Sequence, residues 1–216
     1  MNMTAGQILN VFTPIEISNI TKILKHIPEQ RNPYQSRDIL NNGFTEQDKV
    51  YPAIKKMVIQ KINQVSPIKI AKLFEGMHLI ARDPYSVHVD LLAKRDEGYG
   101  NSFLIPLYTV PESDGKTFTV IFNEHSVNNH LLKEYVDSNP PKPAKNALDI
   151  WHLLPDTDPK EYAEYLSVKI MAHWHPGSVI HWDRRLFHSS DDFKLNNLTE
   201  KSALVLFTSP NGPVIQ

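Results

Sequence analysis

Apolar residues at Ile17, Ile20, Leu24 and Ile27 recur at steps of three and four, the spacing that lines one face of a helix. Just before them stand Thr13, Pro14 and Glu16. Thr13 and Glu16 form a Thr-x-x-Glu capping box, and Pro14 suits the first helical position because its missing N–H has no intrahelical acceptor to lose. A second stripe, Val50, Ile54, Met57 or Val58, Ile62 and Val65, predicts a helix from about Asp48 to Val65. Pro52 is tolerated there only in the first turn.

After Pro67 short β-branched and aromatic runs alternate with turn residues. They predict strands at Ile68–Phe74, Met77–Arg82, Val87–Leu91, Phe103–Val110, Thr117–Phe122, Ser167–Trp174, Ser178–Trp182, Leu186–Ser189 and Ser202–Thr208. Glu75-Gly76, Ser113-Asp114-Gly115 and Pro176-Gly177 stand where hairpin turns are expected. Two helices followed by such a series predict an α+β fold on an antiparallel sandwich or barrel. Asp137–Glu164 breaks the rhythm with Pro140, Pro141, Pro143, Pro155 and Pro159, and a short helix is expected at Pro159–Tyr165. Strand texture resumes afterwards, so the segment reads as an insertion anchored by Trp151, Tyr162 and Tyr165. It is either a surface loop packed on the sheet or a lid.

Composition narrows the chemistry. The chain has 216 residues, 23 Lys+Arg, 24 Asp+Glu, 10 His and no Cys. The length suits one domain. The balanced charge argues against a nucleic-acid binder that relies on bulk positive potential. The absence of Cys excludes disulfides, thiolate zinc sites, iron–sulfur clusters and cysteine nucleophiles, so any metal site must use imidazole and carboxylate. No apolar run is long enough to span a membrane and no signal peptide is visible, so the expectation is a soluble cytoplasmic protein.

His88-Val89-Asp90 lies in an expected strand, where residues two apart face the same side, so the imidazole and carboxylate can converge. Two His and one carboxylate leave open positions on an octahedral Fe(II), which suits O2 chemistry. The candidate third ligand is His188, reached from Pro176-Gly177 through a strand ending in Trp182-Asp183 and a short link containing Arg184-Arg185. Lys201 opens the last apolar strand, where a cation could pair with the carboxylate of an acidic cosubstrate. Lys194 and the Arg184-Arg185 pair compete for that part.

The ordered set of His88-x-Asp90, His188 eleven residues after Gly177, and a basic residue opening the final strand resembles the Fe(II)- and 2-oxoglutarate-dependent dioxygenases. Ser102–Tyr108 followed by Asp114-Gly115-Lys116-Thr117-Phe118 resembles the strand–turn–strand of their prolyl 4-hydroxylase-like branch. The resemblance covers about Ile68 to Phe207. It implies a double-stranded β-helix, or jelly roll, over 67–208 with the insertion at about 137–164, and supporting helices within 1–66. It implies His88, Asp90 and His188 as iron ligands and catalytic residues. Lys201 would bind the distal carboxylate of 2-oxoglutarate. Tyr108 reads either as a further cosubstrate contact or as a packed strand residue. Fe(II), 2-oxoglutarate and O2 are then the cofactors, and the reaction is hydroxylation of a small molecule or protein side chain with release of succinate and CO2. Relatives more often carry Arg where Lys201 stands. Nothing in the sequence names the substrate or the oligomeric state.

Two other readings compete. His173-Trp174-His175 is also an i, i+2 pair and, with His181, could form an all-histidine cupin-like site. A non-catalytic jelly-roll binding protein would keep the sheets and some of the histidines without the cosubstrate. His125 and His130 carry no recognisable pattern.

Overall fold

The computed structural model describes residues 3–25, 39–43, 51–71, 73–90, 100–126, 132–141 and 147–208. Helix α1 spans Pro14–Lys25. Its capping box is formed as expected: the Thr13 N–H donates to Glu16 Oε2 at 2.8 Å and the Glu16 N–H donates to Thr13 Oγ1 at 3.3 Å. Helix α2 spans Tyr51–Val65, and Lys61 reaches from it to Glu16 at 2.5 Å. Ile17, Ile20 and Leu24 of α1 meet Ile54, Val58, Ile59 and Ile62 of α2 in one buried cluster. Each such side chain contributes about 1.5–3 kcal/mol on full burial. Val65, expected in the stripe, is exposed at the helix end. Ile27, Asp48 and Val50 lie outside the described residues.

Nine strands appear among the described residues: β1 Ala5–Ile8, β2 Ile39–Gly43, β3 Leu73–Ala81, β4 Asn101–Val110, β5 Phe118–His125, β6 Val168–His173, β7 Val179–Asp183, β8 Leu186–Ser190 and β9 Glu200–Thr208. They form two antiparallel sheets. One is six-stranded in the order β1-β7-β4-β9-β3-β2, the other three-stranded in the order β6-β5-β8. Alternation assigns the faces. Leu104, Ile180, Trp182, Ala203, Val205 and Phe207 of the large sheet meet Ile121, Ala172 and Leu186 of the small one in a core between the sheets. Phe103, Ile105, Val179, Leu204 and Leu206 point the other way, into the helix cluster.

Several expectations are corrected by pairing. Ile68–Phe74 and Met77–Arg82 are not two strands. Glu75 and Gly76 lie inside β3, opposite Phe207 and Leu206, with a register shift between Leu73 and Glu75. Ser113-Asp114-Gly115 links β4 to β5, and Pro176-Gly177 links β6 to β7, so both carry the chain between sheets instead of closing hairpins. Local turn chemistry specifies a reversal, not the partner of the next strand. Gly177 sits at φ +84°, and its carbonyl accepts from the Val11 and Phe12 N–H groups at 3.0 Å. A Cβ there would stand 2.4 Å from the Phe12 carbonyl oxygen, so the close approach requires glycine. Residues before 67 supply two strands, β1 and β2, as well as helices.

The insertion builds a further layer. It follows α3 (Leu132–Ser138) and contains α4 (Ala147–Ile150) and two 3₁₀ turns, Trp151–Leu153 and Lys160–Tyr165. Trp151, Leu154, Ala163 and Leu166 bury against Phe118, Val120, Phe122 and Phe187, the small sheet's outer face. The insertion therefore covers the side of that sheet away from the inter-sheet core.

Candidate metal centre

His88 and His188 face each other across an isolated antiparallel bridge. The His88 N–H donates to the His188 carbonyl at 3.0 Å and the reverse bond is 2.9 Å. The expected strand Val87–Leu91 is thus reduced to one bridge against β8, and Leu91 lies outside the described residues. Val87 and Val89 turn into the insertion's cluster while His88 and Asp90 turn away from it. Asp158 fixes the approach by accepting the Val87 N–H at 3.0 Å.

The ligand atoms of His88, Asp90 and His188 lie within 4.8 Å of one another, and among the described residues no other His, Asp or Glu group converges in this way. Asp90 Oδ1 is 3.4 Å from His188 Nε2 and 3.9 Å from His88 Nε2. The remaining polar atoms of the three side chains are engaged elsewhere. Asp90 Oδ2 accepts from Ser102 Oγ at 2.5 Å and from Trp182 Nε1 at 3.1 Å. His88 Nδ1 donates to the Ser86 carbonyl at 2.7 Å and His188 Nδ1 to the Leu186 carbonyl at 3.1 Å. Those bonds assign the tautomers and leave both Nε2 atoms turned toward Oδ1. The donor set, two imidazole nitrogens and one carboxylate oxygen, fits a divalent first-row metal with open positions.

The electrostatics agree. Burial, then the neighbouring His188, pushes His88 down to about 4, so its Nε2 offers a lone pair at neutral pH. Burial raises Asp90, but the facing His188 outweighs it and holds the carboxyl well below the usual carboxylate range. Burial lowers His188, but Asp90 outweighs it and the imidazole is raised overall. A divalent cation would replace the proton that Asp90 draws onto His188.

Sequence reasoning missed the parts that Ser102, Trp182 and Arg184 play around Asp90. Ser102 and Trp182 are directly opposed in the β4–β7 register, which brings both donors to Oδ2. Arg184 is fully buried and clamps the Asp90 carbonyl at 3.2 Å through Nε and 2.6 Å through Nη2. No local signal marks these partners, because each depends on strand pairing.

The competing basic residues separate clearly. Arg184 holds backbone. Arg185 makes a two-pronged bond to Asp183 at 2.9 and 2.6 Å. Lys194 is half-exposed and paired with Asp83. Lys201 is buried on the inter-sheet face of β9, in phase with Ala203, Val205 and Phe207. Its ammonium contacts Asp191 Oδ1 at 3.0 Å and Ser190 Oγ and the Phe118 carbonyl at 3.3 Å, and it stands 4.0 Å from the centre of the Trp174 ring. Burial lowers its pKa, with Asp191 opposing the shift.

Tyr108 does not follow the expectation of a cosubstrate contact. The register slips between Pro106 and Tyr108, so Leu107 is a bulge and Tyr108 pairs with Ser202 on the helix side. It packs against the helix cluster and donates its hydroxyl to Glu200 at 3.0 Å. The histidines of the all-imidazole alternative do not converge, although the His173 and His175 rings are 6.4 Å apart centre to centre. His173 Nδ1 bonds the Gly115 carbonyl at 2.8 Å, and His175 pairs with Asp114 at 2.6 Å. His181 points to the opposite face of β7 from Trp182, over Gly6 and near Phe103.

No family model matches the chain, and no curated protein matches it in sequence. Solved structures do match in fold. The epimerase SnoN from nogalamycin biosynthesis, described as non-heme and alpha-ketoglutarate-dependent, aligns at TM-score 0.60 and 10% identity, covering 96% of this chain and 79% of that one. HygX from Streptomyces hygroscopicus, solved with nickel and 2-oxoglutarate bound, aligns at TM-score 0.58 and 16% identity over 97% and 84%. A Pseudomonas putida prolyl-4-hydroxylase aligns at TM-score 0.55 and 10% identity over 97% and 94%. This chain therefore shares their mixed arrangement of helices and antiparallel sheets along nearly its whole length. Among the described residues, no helix is long and apolar enough to cross a membrane.

Proposed function

We propose that this protein is an Fe(II)- and 2-oxoglutarate-dependent oxygenase that hydroxylates a small molecule or a protein side chain. The two sheets are, on this reading, the halves of a double-stranded β-helix forming one domain over 1–216, with the insertion at about 137–164. The observation that supports it most is the convergence of two imidazole Nε2 atoms and one carboxylate oxygen, each held by its other polar atom. It occurs in a fold shared with HygX, which was solved with nickel and 2-oxoglutarate.

His88, Asp90 and His188 would hold the iron. When bound, iron with O2 and 2-oxoglutarate supplies the oxidising chemistry that inserts one oxygen atom into a C–H bond and releases succinate and CO2. The chain's own part is geometric. Ser102 and Trp182 keep Asp90 Oδ2 occupied so that Oδ1 alone faces the ligand point. Arg184 fixes the backbone that carries the carboxylate. Trp182 lies against His188, ring centres 4.7 Å apart and planes tilted by 48°, and covers one side of the site. Lys201 supplies the cation for the cosubstrate's far carboxylate. Its partner Ser190 is two residues beyond His188 on the same face of β8, a step of about 7 Å along a strand.

The test is anaerobic titration of the protein with Fe(II) and 2-oxoglutarate, watching for the visible charge-transfer band of the chelate, then admission of O2 and measurement of succinate. The wild type is expected to give both signals and His188→Ala neither. Metal binding without band or succinate in the wild type would overturn the reading in favour of a non-catalytic binding protein.

A further inference from the structure

A 2-oxo dicarboxylate needs a cation at its far end, and the buried cation on this inter-sheet face is already neutralised. The three donors of the Lys201 ammonium have three acceptors, Asp191 Oδ1 at 3.0 Å and Ser190 Oγ and the Phe118 carbonyl at 3.3 Å. The Trp174 ring covers it at 4.0 Å. The two side chains of the pair are 2% and 1% exposed. A second carboxylate placed beside the pair would set two anions against one cation away from water, which is strongly unfavourable.

Asp191 is nevertheless only half fastened. Its Oδ1 takes Lys201 and the Thr117 hydroxyl at 2.5 Å. Its Oδ2 is buried with no hydrogen-bond partner among the described residues. Asp183, by contrast, uses both oxygens on Arg185. A buried carboxylate oxygen without a donor is costly, so the resting pair is weaker than a fully bonded one and is easier for another anion to break.

We propose that Asp191 is a built-in competitor for the cosubstrate's far carboxylate. It holds Lys201 while the pocket is empty, and a 2-oxo dicarboxylate binds by taking its place on the ammonium, with Asp191 taking up a proton from solvent so that one anion still faces one cation. Asp191 thereby sets how far the protein prefers 2-oxoglutarate to 2-oxo acids with uncharged tails. The inference rests on the proposed oxygenase reading and adds a specificity-determining residue to it.

The full-length protein, loaded with Mn(II) as a ligand for its N/O site, is titrated calorimetrically with 2-oxoglutarate and with 2-oxopentanoate, the same carbon chain without the far carboxylate. Asp191→Asn is expected to tighten 2-oxoglutarate by about tenfold or more, the size of one charge-assisted contact, and to leave 2-oxopentanoate nearly unchanged. 2-Oxoglutarate should also raise the Tm of the variant more than that of the wild type. Unchanged or weaker 2-oxoglutarate binding by the folded variant would overturn the inference alone. Should the variant not fold, the wild type decides. A preference for 2-oxoglutarate of about tenfold or less supports a masked lysine, and a larger one overturns it. Binding of neither acid to the wild type would sink the cosubstrate reading and this inference with it.

Discussion

The triad and the Lys201 pair, neighbours between the two sheets, are built on opposite principles. At the triad every side chain spends one polar atom on the surrounding protein and turns another inward, so Asp90 Oδ1 and two Nε2 atoms converge. At the Lys201 pair the cation has no donor left over, and the unused atom is on the anion beside it. The first arrangement is preorganised for a cation and needs no rearrangement. The second must break an internal ion pair before it can serve a ligand. At the triad Asp90 draws a proton onto His188, and a metal cation can take that proton's place. A buried ammonium cannot wait unpaired, so the fold supplies a partner from its own chain.

The largest effect should come from removing a convergent atom. Asp90→Ala or His188→Ala should abolish stoichiometric metal binding, measured by equilibrium dialysis, while the apo protein still unfolds in a cooperative thermal transition. His173→Ala and His175→Ala should retain full metal content; loss there would restore the all-histidine alternative. Next, Lys201→Met should cost about 3–5 kcal/mol in urea unfolding, because Asp191 is left as a buried charge. Adding Asp191→Asn to Lys201→Met should recover a good part of that loss, whereas independent additive losses would show that the two groups are not a pair.

Smaller effects probe what holds the convergent atoms in place. Ser102→Ala combined with Trp182→Phe should lower metal affinity by about 10–100-fold without removing a ligand, since Oδ2 loses both donors. Unchanged affinity would mean that the carboxylate is oriented by other contacts. Smallest of all, Tyr108→Phe should cost about 1 kcal/mol from its lost bond to Glu200 and leave the 2-oxoglutarate affinity unaltered. A weakened 2-oxoglutarate response would put Tyr108 back at the site.

The triad was legible because its signals are short. His88 and Asp90 share a face through i, i+2 alternation, and His188 belongs to an ordered pattern along the chain. The atoms that aim the triad were not legible. Ser102 and Trp182 are 80 residues apart in sequence and meet only through the β4–β7 register. Tyr108 was misplaced because one bulged residue reverses which face every later side chain of β4 takes, and no local residue preference announces the slip. The insertion was visible as a break in strand rhythm, but its position on the outer face of the small sheet was not.

The sequence by itself determined the start of α1, most strand segments, the absence of thiol chemistry and the order of candidate ligands. These depend on backbone period, caps and residue chemistry within a few positions. Tertiary structure alone decided which strands pair, which turns cross between sheets, which face Tyr108 takes, and that Lys201 meets Asp191. Those outcomes depend on contacts between distant segments, where one residue of register moves a side chain from the interior to the opposite face.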